Sequence, residues 1–192
     1  MTRQELLESL ADNHEAQIKK TLENLEEEII STISRATEGE LISTRVAIEL
    51  RKDIKRHIQE TYLFEADTII REYDKIVNEF LNEFGTLNIP DKFKSLTKID
   101  LETINALKYQ SFSGFEDLAN RYLTDISSNV YQNAIAGRSF RDMVKDIKGK
   151  VTGLEDRAGK PMSSHAGQLA HDSIMQFDGQ FTIHKAKEAG LK

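Results

Sequence analysis

The chain has 192 residues, two prolines, no cysteine and no tryptophan, and a formal net charge of −6. Without cysteine, disulfides, thiolate nucleophiles and cysteine-based zinc sites are excluded. The first residues lack the apolar core of a signal peptide, and no apolar run approaches the roughly 20 residues that cross a bilayer. We therefore expect a soluble protein that is made in the cytoplasm.

The composition favours long amphipathic helices, because charged residues make up 30% of the chain and turn-forming proline is scarce. We predict an all-α fold, an elongated bundle of long helices with short Gly/Pro corners and little or no β-structure. Three regions are expected along the chain. Residues 1–85 form a coiled-coil-like helical hairpin, residues 86–114 a linker with a short helix, and residues 115–192 a C-terminal helical domain.

The first helix is predicted over residues 4–33, and its apolar positions recur at spacings of 4, 3 and 4. These positions form a seam that needs a partner helix: Ile18, Leu22, Leu25 and Ile29. The partner is either another protein chain or, as we favour, the second helix of the same chain. Residues 1–40 carry ten acidic and four basic residues, which account for the whole net charge, and this argues against nucleic-acid binding by this helix.

A second helix is predicted over residues 43–84, with Ser43 or Thr44 as its N-cap. At ~1.5 Å per residue it would be about 60 Å long. Its first half carries a basic patch: Arg45, Arg51, Lys52, Lys55 and Arg56. We interpret this patch as a solvated face that complements the acidic residues 23–28. Contact with nucleic acid is the less favoured alternative, because no aromatic side chains lie between these bases.

Breaks are predicted at residues 37–40 and 85–100, where glycine, proline and polar residues interrupt the helical pattern. A short helix over residues 99–109 begins at a cap formed by Thr97 or Asp100. A corner follows at residues 111–115, and a further helix leads to Gly137.

Gly137 is predicted to end that helix in a conformation with positive φ, and Ser139 to cap the next one, over residues 140–151. This helix and its corner carry five bases: Arg138, Arg141, Lys145, Lys148 and Lys150. They are candidates for contact with DNA or with an acidic partner, although a solvated outer face is the alternative that we favour. A loop with Gly153, Gly159 and Pro161 then precedes a last helix, which is capped by Ser163 or Ser164 and stopped by Gly190.

Three short motifs in this last part share an order with a known family. Residues 136–139 read Ala-Gly-Arg-Ser, residues 166–170 read Ala-Gly-Gln-Leu-Ala, and residues 189–191 read Ala-Gly-Leu. Over about residues 115–192 the chain resembles the bacteriophage head morphogenesis family, the Mu F-like minor head proteins. It departs from the family at residues 171–173, which read His-Asp-Ser where Arg-Thr-Glu is common. It also stops at Lys192, where the family usually continues; a shorter subgroup and a processed or truncated product both stay open.

The resemblance implies a structural virion protein that docks at the portal vertex and assists head assembly, DNA packaging or DNA ejection. Its partners would be several copies of the portal protein or other head proteins, and DNA through the basic cluster. It would lie inside the head near the portal, and in the host cytoplasm during assembly. No membrane contact and no small-molecule substrate are expected.

The polar residues do not indicate a catalytic or metal-binding site. The five histidines, His14, His57, His165, His171 and His184, have no spacing typical of a metal site, and no catalytic or phosphate-binding motif is present. We predict no enzyme, no catalytic residue, no metal and no cofactor. Two other functions stay open, a cytoplasmic coiled-coil adaptor or scaffold and a helical nucleic-acid-binding module.

Overall fold

The structure is a computed structural model that describes residues 2–37, 42–87, 89–153 and 160–190, without the side chain of Lys92. Its elements are α1 (Arg3–Arg35), α2 (Thr44–His57), a π-helical turn (Ile58–Leu63), α3 (Phe64–Arg71), α4 (Tyr73–Gly85), a 3-10 turn (Asp91–Phe93), α5 (Lys98–Ile135), α6 (Phe140–Val151) and α7 (Met162–Glu188). The described residues contain no strand, so the all-α prediction is confirmed. The elongated shape stays a prediction.

Helix α1 begins at a capping box. The Thr2 hydroxyl accepts a hydrogen bond from the Glu5 N–H at 3.2 Å, and the Glu5 carboxylate accepts one from the Thr2 N–H at 2.7 Å. Two otherwise unpaired donors of the first turn are thereby satisfied. The helix packs against α7, α6 and the α2–α4 segment. Its predicted seam is fully buried, so the partners of that seam lie in the same chain: Ile18, Leu22, Leu25 and Ile29.

The second predicted helix corresponds to α2, the π-helical turn, α3 and α4. Its cap is Ser43, whose hydroxyl accepts a hydrogen bond from the Val46 N–H at 3.3 Å. The prediction of one regular helix is wrong, because the π-helical turn and a further turn at Glu72 interrupt it. Extra residues in a helical turn shift the following side chains around the axis. In this turn Tyr62 is fully buried, with its ring centroid 6.2 Å from that of Phe115.

Helix α5 has the predicted start. Thr97 and Asp100 form its capping box, with the Asp100 N–H bound to the Thr97 hydroxyl at 3.1 Å. The short helix over residues 99–109 and the corner at residues 111–115 are wrong, because α5 runs without a break for 38 residues. The boundary that we expected at residue 114 therefore falls inside a helix.

The glycine at the expected corner has a packing role instead. A Cβ atom on Gly114 would lie 3.3 Å from Cδ1 of Leu169 in α7, so the missing side chain lets the two helices approach. The next residue, Phe115, is fully buried. Close packing against α7 and burial of Phe115 stabilise the helical path here over the turn that the local composition favours.

The corner between α5 and α6 forms as predicted. Gly137 has φ of 63°, the Gly137 N–H donates to the Ala134 carbonyl at 3.3 Å, and the Arg138 N–H donates to the Asn133 carbonyl at 3.0 Å. These bonds make a Schellman motif, which satisfies carbonyls at the end of α5. Ser139 then caps α6 by accepting from the Asp142 N–H at 3.3 Å.

The last helix starts earlier than expected. Helix α7 begins at Met162 after Pro161, so the prediction of a Ser163 or Ser164 cap is wrong, whereas Gly190 ends the helix with φ of 69° as predicted. The predicted break at residues 37–40, the predicted loop with Gly159 and the end of the resemblance at residues 191–192 lie wholly or partly outside the described residues.

Buried apolar side chains from all the helices join in one core. Residues before Gly85 and residues after Phe115 both contribute to it. Glycine again allows a close approach, since a Cβ atom on Gly167 would lie 3.1 Å from side-chain atoms of Glu15 and Lys19 in α1. None of the described helices combines the length and the apolar character that crossing a membrane requires.

Candidate functional site

A polar cleft opens between α5 and α6, beside the Gly137 corner. Its volume is about 580 Å³. Eleven of the described residues line it: Tyr122, Asp125, Asn129, Gln132, Asn133, Ala136, Arg138, Asp146, Gly149, Lys150 and Lys160. Most of these side chains can donate or accept hydrogen bonds, so the cleft suits a polar or charged ligand.

The floor of the cleft is a hydrogen-bonded carboxylate. Asp146 of α6 is 4% exposed, and its Oδ2 accepts hydrogen bonds from the amide groups of Asn129 at 3.3 Å and Asn133 at 3.2 Å. Nη1 of Arg138 lies 3.8 Å from the same oxygen. Amide donors and a nearby guanidinium stabilise a buried carboxylate in its charged form, and here they also join the two helices.

One wall of the cleft depends on Tyr122. Its hydroxyl donates to the carbonyl of Lys160 and accepts from Nδ1 of His165, both at 2.8 Å. Burial and the nearby charges of Lys160 and Arg121 lower the pKa of His165, which favours the neutral imidazole. These contacts hold Lys160 at the rim.

The five predicted contact bases do not converge on one surface. Arg138 and Lys150 line the α5–α6 cleft, whereas Lys148 lies in a groove on the opposite side of α6, beside α1. Arg141 and Lys145 line neither of these. A helix turns ~100° per residue, so bases that are close in sequence spread around its axis.

Lys160 lines the cleft together with Arg138 and Lys150. No sequence pattern predicted it as a contact residue. Its ammonium donates to the Gln168 side-chain carbonyl at 2.6 Å. No local pattern marks this lysine, because its place at the cleft depends on Tyr122, which is 38 residues earlier in the chain.

A second polar cluster lies between the start of α5 and the end of α7. Among the described residues, Asp100, His184 and Glu188 are near enough to one another to hold a metal ion. The ammonium of Lys185 lies between them, 2.8 Å from Oδ2 of Asp100 and 2.8 Å from Oε2 of Glu188. Because this lysine supplies the positive charge, the carboxylates do not fit a metal, and we assign the cluster a structural role.

The basic patch on α2 is solvated, as predicted, but among the described residues it forms no ion pair with the acidic residues 23–28 that we expected it to complement. The cations of the patch are exposed. Instead, His57 of α2 and Thr61 of the π-helical turn contact Glu28 of α1. Nδ1 of His57 lies 3.3 Å from a Glu28 oxygen. The patch therefore remains available to another molecule.

No protein-family model, no curated protein and no solved structure matches this chain. The likeness to the phage head morphogenesis family thus rests on the three short motifs alone.

Proposed function

We propose that the protein is a structural protein of a bacteriophage head, a minor head protein that docks on the portal protein or another head protein. In this proposal the α5–α6 cleft binds an acidic segment of that partner. The family resemblance supports the phage role, and the chemistry of the cleft supports the docking role.

Three cations of the described residues surround the open polar cleft, and they are the main support for the docking role. Arg138 comes from the corner, Lys150 from α6 and Lys160 from the residues before α7. Among the residues that the structure describes, no carboxylate lies within 4.0 Å of the Lys150 ammonium, whereas other surface lysines such as Lys75 have one. A carboxylate of a partner would pair with Lys150 and would lie near the charges of Arg138 and Lys160.

The lining of the cleft favours a protein ligand over nucleic acid. Asp125 and Asp146 also line it, so a continuous run of phosphates would be repelled, whereas a short peptide segment with isolated carboxylates can reach the cations and avoid the two aspartates. DNA carries one negative charge per ~1.7 Å, and binding it requires several cations without intervening carboxylates. Amides such as Gln132 both donate and accept, which suits a mixed polar peptide surface.

The experiment is capture by the portal protein from the same genome. We expect wild-type protein to be retained, and the variant Arg138→Glu with Lys150→Glu to bind at least about tenfold more weakly, because reversed charges at a docking site repel an acidic partner. The control is Lys98→Glu with Lys187→Glu, an equal charge change at exposed positions outside the cleft. No capture of wild-type protein would refute the head role, and equal capture of the cleft variant would refute the role of the cleft.

Nucleic-acid binding has one supporting observation. Arg141 and Lys145 are four residues apart, so they share the outer side of α6, and neither has a carboxylate within 4.0 Å in the described part of the chain. A DNA mobility shift that weakens with salt and is lost in Arg141→Glu with Lys145→Glu would support this function. The adaptor function has lost its main support, since the seam on α1 is buried inside the chain.

A further inference from the structure

Helices α1 and α6 form a groove that has an acidic side on α1 and an apolar floor, and that Lys148 of α6 also lines. We call it the α1–α6 groove; its volume is about 560 Å³. Glu23, Glu27 and the buried Glu26 line one side, and Ile30, Phe140 and Val144 are among its apolar residues. Glu23 and Glu27 are exposed, and no described cation lies within 4.0 Å of them. A groove of this kind suits a helix that carries both apolar and positively charged side chains.

Such a helix face exists elsewhere on the same chain. The α2 face consists of Arg45, Ile48, Arg51, Lys52 and Lys55, which lie three, four and seven residues from one another around Ile48. Ile48 is 60% exposed, a large value for an isoleucine. The surrounding bases are exposed as well, so the face is an amphipathic strip that the described residues leave largely uncovered.

The charges of the α2 face are largely unpaired within the chain. Arg45 lies 3.6 Å from Glu49, but no described carboxylate lies within 4.0 Å of Arg51, Lys52 or Lys55. The face thus presents mostly positive charge around one apolar side chain. This is the reverse of the charge on the α1–α6 groove.

We propose that the α2 face of one copy docks into the α1–α6 groove of a second copy. Ile48 would contact the apolar floor, and Lys52 and Lys55 would lie opposite Glu23 and Glu27. The two surfaces differ, so the contact is head-to-tail, and in a pair of copies one copy keeps a free groove and the other a free face. Repetition of such a contact gives a ring or a chain.

A second copy is the occupant that fits best, because the acidic groove and the basic strip occur on the same molecule and complement each other in both charge and apolar content. Complementary charge also steers the encounter and suppresses wrong partners. The proposal uses neither the α5–α6 cleft nor the phage role, so its failure leaves the proposed function untouched.

A charge-swap experiment tests the contact. In one variant, Lys52→Glu with Lys55→Glu cancels the positive charge of the α2 face, on which Arg45 and Arg51 remain; in the other, Glu23→Lys with Glu27→Lys makes both surfaces basic. Sedimentation equilibrium of the full chain should show self-association of wild-type protein that weakens between about 50 mM and about 500 mM salt. Each variant alone should associate at least about tenfold more weakly, and an equal mixture of the two should associate again.

The mixture excludes a trivial explanation, since variants that had failed to fold would not regain association. Far-ultraviolet circular dichroism checks the fold of each variant independently. The control, Lys98→Glu with Arg121→Glu, should associate like wild-type protein. A wild-type chain that stays monomeric at every concentration and salt, or variants that associate as it does, would overturn the proposal, as would a mixture that stays monomeric.

Discussion

The ammonium of Lys185 lies 2.8 Å from Oδ2 of Asp100, and neither side chain is exposed to solvent. The pair joins the end of α7 to the start of α5, 85 residues apart. Burial opposes the charged form of Asp100, but hydrogen bonds from Lys185 and Thr97 outweigh it and hold the pKa of Asp100 below its ordinary value. Burial likewise opposes the charge on Lys185, but Asp100 and Glu188 raise its pKa.

Removal of the Lys185 ammonium should destabilise the fold. We expect Lys185→Met to reduce the free energy of unfolding by about 3–5 kcal/mol, because it leaves a buried carboxylate without its partner. Lys187→Met is the matched control, an exposed lysine two residues further along α7, and it should change stability by less than about 0.5 kcal/mol. Urea unfolding followed by circular dichroism measures both; equal effects would show that the pair does not stabilise the fold.

The Asp100–Lys185 pair also predicts how the stability of the fold depends on pH. Because the pKa of Asp100 is lowered from 3.8, its contribution is present above pH 3.8 and is lost as the pH falls through the folded-state pKa. In Lys185→Met, burial without the ammonium should raise the pKa of Asp100, so that acid stabilises the variant. Unfolding at about pH 7, 5 and 3.5 should therefore show a shrinking difference between the two proteins. A constant difference would contradict this account.

The contribution of Glu26 to stability should change with pH in the direction opposite to that of Asp100. It is 4% exposed and accepts a hydrogen bond from the Thr152 hydroxyl at 2.6 Å, yet burial raises its pKa above 4.5. The charged form is thus penalised in the folded protein, and stability rises as the pH falls through the raised pKa towards 4.5. Glu26→Gln should keep the hydrogen bond and be more stable by roughly 1 kcal/mol at neutral pH, with the advantage lost in acid. An advantage that persists in acid would contradict the prediction.

Two helical glycines should respond in opposite directions. Gly179 of α7 has no atom within 4 Å of an added Cβ, so Gly179→Ala should stabilise the protein by about 0.5–1 kcal/mol through helix propensity. At Gly114 the Leu169 side chain is 3.3 Å away, and Gly114→Leu should cost about 1–3 kcal/mol through overpacking. Thermal unfolding compares them, and a stable Gly114→Leu protein would mean that α5 and α7 do not need this contact.

Local sequence patterns were enough to predict the all-α class and several helix ends. Thr97, Ser139 and Gly137 act as predicted, because capping depends on side chains and backbone groups within about four residues of each other. The seam of α1 was also predictable from the sequence, because the spacing of its apolar residues is a local property of the helix.

The path at Gly114, the separation of the five predicted contact bases and the burial of Lys185 could not be predicted from local patterns. Each depends on a partner far away in the chain: Leu169 against Gly114, Tyr122 beside Lys160, and Asp100 beside Lys185. A glycine that a local pattern assigns to a corner continues a helix when a neighbouring helix needs the space. A lysine that a pattern assigns to the surface enters the core when a distant carboxylate compensates its charge.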